Sequence, residues 1–221
     1  MSIRTVILSR NSPLPLVVER VRPRYILAMN RATPTLISSG GIGVILIAIF
    51  VGPIFSPPEF SWLHHSTSEQ AGQQVAGAWI MRVGFVAYGL STLLAAIVSP
   101  RTLPFVRGAL IVFGIGLIGT AIWSNASILP GILSDKREDW QHSVASGIVG
   151  TAFAFACAAR LFSPGGSKRD VLAWFGLVIS VAVPLAMGAW PDFRGLLQRA
   201  MFGFSFVFVA REFRGSGYRL G

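Results

Sequence analysis

Whatever chemistry this sequence performs rests on three histidines and a small group of charged side chains. His64 and His65 are adjacent, and Asp139 and His142 stand three residues apart, a spacing that puts the latter two on one face of a helix. These four offer imidazole nitrogens and a carboxylate, the donor set of a catalytic zinc site that leaves one position open for water. There is no His-Glu-x-x-His motif. The plainer reading has Asp139 capping a helix and His142 hydrogen-bonding at its mouth. Arg82 and Arg199 have another use. A guanidinium is permanently charged and matches the paired oxygens of phosphate or carboxylate. With Glu69, Asp139 or Asp192, or backbone carbonyls, as their partners, the two arginines form either a clamp between helices or a seat for an anion.

The elements that must position these residues are membrane spans. Of 221 residues, 52% are apolar and 13% charged, where soluble domains carry about 25% charged. So little charge cannot cover a water-facing surface. Six stretches reach the roughly 20 apolar residues that cross a bilayer as a helix: Leu36 to Phe55, Ala78 to Val98, Gly108 to Ile128, Ser143 to Phe162, Val171 to Trp190, and Gly195 to about Phe213. The expected fold is therefore all-α, a polytopic six-transmembrane-helix bundle. A basic N-terminal arm (1–33) precedes the helical domain (34–213), and a short tail (214–221) follows it. Arg10, Pro13 and Pro15 interrupt the N-terminal segment, so no secretory signal is evident.

Six crossings put both termini on one face, and 14 of the 19 Lys and Arg residues fall on that face. By the positive-inside rule it is cytoplasmic, which predicts a multi-pass plasma-membrane protein. The net charge of +10 then reflects topology, and no nucleic-acid partner is expected. Six of the nine acids, all three histidines, and Trp62, Trp79, Trp123, Trp140 and Trp190 fall on or near the outer side. Arg199 sits about 6 Å into the sixth helix at 1.5 Å per residue, and Arg82 is similarly placed in the second.

Packing and capping have readable signals too. Ser146, Gly150, Ala154 and Ala158 form a small-residue stripe on the fourth span, with Ser143, Gly147 and Thr151 beside it, which predicts a central helix. Gly40, Gly43, Gly114, Gly116 and Gly119 are further candidates for close contact. Ser66 to Glu69 has the form of a capping box leading into the second span. Asp170 and Asp192 are placed to cap the fifth and sixth. Cys157 is a small buried residue that excludes an internal disulfide or a cysteine metal cage.

Several short motifs resemble the prokaryotic six-helix membrane family known as domain of unknown function 998. They are Ser66-Thr67-Ser68-Glu69 followed by Trp79, Arg82, Gly84, Phe85 and Gly89; His142 with Phe153; and Gly195-Leu196-Leu197-Gln198-Arg199. Where family members often carry a proline–aspartate pair after the third helix, this chain has Trp123-Ser124-Asn125-Ala126. The resemblance implies six helices and a polar outer cluster, and no activity. In layout alone the chain is similar to eukaryotic lipid-anchor remodelling proteins and to seven-helix ceramidase-like hydrolases.

The expected role is binding or accessory, without a cofactor. An outer-facing cavity built on Arg82, His142, Gln198, Arg199, Asp139 and Glu69 would accept a lipid headgroup or a segment of a membrane partner. The alternative is a zinc-dependent lipid amide or ester hydrolase with His64 or His65, Asp139 and His142 as ligands. A transporter is disfavoured, because no charge lies near the middle of a span and the halves show no repeat.

Overall fold

A computed structural model describes residues 5–7, 16–18, 24–99 and 102–214. Most of the N-terminal arm, with Arg4, Arg10, Arg20 and Arg22, and the tail beyond 214 lie outside the described residues. Among the described residues seven α-helices follow in order: α1 (Arg24–Val51), α2 (Thr67–Gln70), α3 (Ala78–Val98), α4 (Pro104–Ile122), α5 (Lys136–Phe162), α6 (Val171–Ala189) and α7 (Arg194–Phe213). Five of the six long helices, α1 and α3 to α6, are long and apolar enough to cross a membrane. The chain is thus a multi-pass membrane protein. The remaining long helix, α7, carries Arg194, Gln198, Arg199, Arg211 and Glu212 and falls short of that test.

One feature departs from an all-α chain: Thr5–Ile7 pairs antiparallel with Leu16–Val18 in a two-stranded ladder. Both segments are rich in Val and Ile, whose branched side chains favour extended backbone.

Element boundaries shift in ways that matter for the site. The helix containing the first span begins at Arg24, inside the expected arm, and continues through Pro34. The third span was expected to run to Ile128, but α4 ends at Ile122 and residues 123–135 form a loop whose backbone is claimed by neighbouring side chains. The helix also starts earlier than expected, with Pro104 in its first turn, where the missing N–H costs nothing. Likewise α5 starts at Lys136, and its cap is Asp135, not Asp139. Asp170 caps α6 as expected by accepting from the Ala173 N–H. Asp192 does not cap α7, which starts after a short 3-10 turn with no side-chain cap.

The long helices form a closed ring in which each packs on the next in sequence and α7 returns to α1. At the end where α7 finishes, Thr35 Oγ1 donates to the Phe213 carbonyl at 2.8 Å and joins α7 to α1. Lipid offers no hydrophobic drive for helices to associate, so the interior relies on tight packing. Tyr88 meets Phe113 and Phe206 edge-on, Phe153 meets Phe208 edge-on, and the Tyr88 hydroxyl lies 3.1 Å from Ser205 Oγ. These contacts tie α3, α4, α5 and α7 together. Between α3 and α4 the backbones touch: a Cβ on Gly89 would sit 2.7 Å from the Gly114 carbonyl. In the first span the close contact falls on Gly41, against Ser91, and not on Gly40 or Gly43.

The stripe on α5 differs from expectation. Ser146, Gly150, Ala154 and Ala158 are half-buried, and Ser143, Gly147 and Thr151 are exposed. The buried face of α5 is Ala145, Ala152, Phe153, Ala156 and Cys157, one step round the helix, because the large Phe153 ring fills the centre. Exposed Ile54, Ile122, Leu185 and Val207 show that the outside of the ring is apolar.

Candidate functional site

A short polar segment seated among the ends of the helices organises the end of the bundle where α1 ends and α7 begins. Ser66 caps α2, and its side chain and that of Glu69 form the reciprocal capping box read from the sequence. The helix stops after one turn, however, and does not run into α3. Residues 66–75 instead sink into the bundle: Thr67, Gln70, Ala71, Gln73 and Val75 are buried. A buried backbone must find partners, and three long-range sets supply them.

The first set comes from α7. The Thr67 N–H and hydroxyl both donate to Gln198 Oε1, at 2.7 and 2.6 Å. Glu69 pairs with Arg194 at 2.8 Å. Arg199 Nη1 donates to the carbonyls of Trp62 and His65, each at 2.8 Å, and its Nη2 reaches Gln70 Oε1 at 3.4 Å. Its guanidinium carbon also lies 4.6 Å from the centre of the Trp62 ring. Gly195, one turn earlier, makes this possible. A Cβ there would collide with the His65 carbonyl and sit 2.5 Å from that of Trp62. The Gly195-x-x-x-Arg199 spacing therefore lets the 62–65 loop lie on α7 and then captures its carbonyls.

The second set comes from α3, where Arg82 Nε and Nη2 donate to the carbonyls of Ala71 and Gly72 at 3.0 and 3.1 Å. The third comes from the loop between α4 and α5. The Gln73 N–H donates to Asn125 O, and its side-chain amide bonds the backbone of Ser124 and Asp135. Asp139, in the first turn of α5, holds the same loop, since its Oδ1 accepts from the Ala126 N–H at 2.8 Å.

The predicted site residues thus meet one polar segment or the loops beside it, in separate sockets. Arg82 and Arg199 are expected to meet acids or carbonyls, with Glu69, Asp139 and Asp192 as the acids; the structure gives both of them carbonyls. A carbonyl of a buried turn is a partial negative charge already inside the bundle, so it satisfies a guanidinium without burying a carboxylate. His142 stands apart. Its Nδ1 lies 2.8 Å from Trp123 O and 3.2 Å from Thr120 O at the end of α4, so Nδ1 carries the proton, and the buried Nε2 has no partner among the described residues. His65 Nδ1 accepts from the Ser61 N–H, and His64 is exposed. Burial lowers the His65 pKa against the opposing pull of Glu69. Among the described residues, no three of His, Cys, Asp and Glu gather where they could hold a metal.

Of two cavities, the smaller lies beside these sockets and the larger apart from them. The larger, about 670 Å³, is a membrane-facing groove between α4 and α5, lined by apolar residues including Phe105, Gly108, Val112, Gly147 and Phe155. The smaller, about 400 Å³, is polar and lined by Gln73, Gln74, Arg82, Ser124, Asp135 and Glu138, with Leu133 at its edge. Chemistry belongs to the second, where charge is concentrated. Arg82 is the predicted site residue that reaches it. Gln73, Ser124 and Glu138 were not foreseen, because they depend on where the 123–135 loop folds.

A second polar cluster sits at the opposite end of the bundle, where α5 and α7 finish and α6 begins. Arg160 Nε lies 3.0 Å from Asp170 and 3.5 Å from Glu212, and Arg211 contacts the same two carboxylates at 2.6 and 3.1 Å. This buried quartet locks α5, α6 and α7. Its signal was present, since Arg160, Asp170, Arg211 and Glu212 all fall at span ends on one face of the membrane.

The family described as Protein of unknown function (DUF998) matches residues 40–210. No curated protein and no solved structure matches the chain.

Proposed function

The chain belongs to the DUF998 family, and on that premise we propose that it is a plasma-membrane protein with six spans and cytoplasmic termini, whose outer polar pocket holds a lipid headgroup. The arrangement of basic residues supports the orientation, with 14 of 19 Lys and Arg on the terminal side. The packing of α7 supports the sixth span. Its buried Phe202, Phe206 and Phe208 face the bundle, and carbonyls and Gln70 satisfy the Arg199 charge.

The observation that carries the functional reading is the pocket over Arg82. Its guanidinium is anchored through Nε and Nη2, which leaves Nη1 for a ligand, and it meets no carboxylate at ion-pair distance among the described residues. A cation fixed at the depth of the outer interface suits the phosphate of a lipid. Arg199 and His142 act beside the pocket as structural ties. The role is binding or accessory, with membrane lipids as the partner.

Native mass spectrometry of the detergent-purified protein tests this reading. The wild type retains phospholipid adducts, and Arg82→Gln loses most of them while staying monodisperse. Equal retention by both proteins would refute a headgroup seat at Arg82.

A further inference from the structure

The pocket over Arg82 contains both signs of charge, and they do not neutralise each other. Arg82 lines it together with Asp135 and Glu138, yet none of the three takes part in an ion pair among the described residues. Each is fixed by one part of its side chain and free at another. Arg82 spends Nε and Nη2 on carbonyls. Glu138 Oε1 accepts from the Ser124 N–H at 2.7 Å, which leaves Oε2. Asp135 Oδ1 caps α5, which leaves Oδ2. A third observation points the same way. Ser124 is 1% exposed and lines the pocket, and its hydroxyl has no hydrogen-bond partner among the described residues. A buried hydroxyl left unmade costs about 1–3 kcal/mol, so a ligand that bonds it gains that amount on entry.

A purely anionic ligand would meet Arg82 but be repelled by two carboxylates, and a purely cationic one would meet the reverse. A group with both charges a few ångströms apart satisfies all three. We propose that the pocket recognises a zwitterionic phosphoethanolamine headgroup, with its phosphate on Arg82 and the Ser124 hydroxyl and its primary ammonium on Glu138 and Asp135. An ammonium carries N–H donors that bond carboxylates in charge-assisted fashion. The trimethylammonium of phosphocholine has none, and phosphoglycerol has no positive charge. The volume of about 400 Å³ lies within the range of about 300–1,000 Å³ usual for ligand sites. The proposal rests on the headgroup reading above and narrows it to one class.

The test uses the full chain in a neutral detergent, titrated with dihexanoyl phosphatidylethanolamine, dihexanoyl phosphatidylglycerol, dihexanoyl phosphatidylcholine and free phosphoethanolamine. Binding is followed by tryptophan fluorescence, since Trp123 adjoins Ser124. The ethanolamine lipid should bind at least tenfold tighter than the glycerol and choline lipids. Glu138→Gln keeps an oxygen for the Ser124 N–H and should preserve the fold while reducing that preference to threefold or less. Equal affinity for all three lipids would overturn this inference and leave the phosphate seat at Arg82 standing. Binding of none of them would overturn both. Free phosphoethanolamine binding as tightly as its lipid would assign the ligand to solution and overturn the lipid assignment. A preference unchanged in Glu138→Gln would also overturn the proposal.

Discussion

The side chain of Gln73 grips the backbone of Asp135 at both ends. The Asp135 N–H donates to Oε1 at 2.7 Å, and Nε2 donates to the Asp135 carbonyl at 3.0 Å. This amide pairs with a peptide group 62 residues away as one strand pairs with another. It also fixes the residue that caps α5, so the start of α5 and the wall of the polar pocket are set together by a residue of the plug at 66–75.

Gln73→Glu isolates this role. The substitution keeps volume but replaces the Nε2 donor with an oxygen facing the carbonyls of Ser124 and Asp135. It should cost about 1–3 kcal/mol, the penalty for a buried unmet polar group, read as a lowered Tm in detergent. Limited proteolysis should locate the new cleavage in 123–135. An unchanged Tm would mean that the loop is set by something other than Gln73.

Arg199 separates a clamp from a ligand seat. Two of its bonds go to backbone carbonyls and a third to Gln70, with Trp62 stacked below. Arg199→Ala removes the charge and leaves the Trp62 and His65 carbonyls without that donor. It should lower folded yield and shorten the thermal half-life, with a loss of about 1–3 kcal/mol for each buried carbonyl left unmet. Arg199→Lys should recover part of it. Lipid adducts per folded molecule should stay close to wild type, because Arg199 is not in the pocket wall. A well-folded Arg199→Ala protein stripped of lipid would reverse this assignment.

The helical spans were legible because lipid imposes length and apolarity together, and each of five long helices overlaps its predicted stretch. The capping box at Ser66 and the cap at Asp170 were legible because they are local, a side chain bonding its own next turn. Partners were not. The sequence asks for acids or carbonyls around Arg82 and Arg199 and can name only the acids, whereas the structure gives them carbonyls, which the sequence displays at every position and therefore cannot single out. The pocket followed the same logic. Ser124 and Glu138 became neighbours of Arg82 only because α4 stops at Ile122, and the apolar run to Ile128 hid that stop.

The inner quartet predicts an acid dependence. Burial raises the Asp170 carboxyl pKa, but hydrogen bonds from Arg211, the Ala173 N–H and Arg160 outweigh it, so the group lies below its ordinary value of 3.8. A depressed carboxylate stabilises the fold above its unfolded pKa, and that contribution disappears as pH falls through the folded value. Asp170→Asn should therefore lower the Tm near neutral pH, and the gap to wild type should narrow as pH drops below about 4. A gap that is constant with pH would show that Asp170 acts through its cap alone.

Orientation yields the remaining prediction. In a Cys157→Ala background, Leu133→Cys places a thiol on a highly exposed residue of the α4–α5 loop, and Lys168→Cys places one on the α5–α6 loop. An impermeant maleimide should label the first in intact cells and the second only after permeabilisation. A reporter fused after Gly221 should share the side of Lys168, because α7 must cross once more. By composition α7 is too polar to count as a span. Its charges are nonetheless met at each end, Arg194 and Arg199 by Glu69, carbonyls and Gln70, and Arg211 and Glu212 by the inner quartet. Between them lies a largely apolar run from Ala200 to Ala210. A C-terminal reporter on the side of Leu133 would show that satisfying those charges does not suffice to carry α7 across, and the bundle would have five spans.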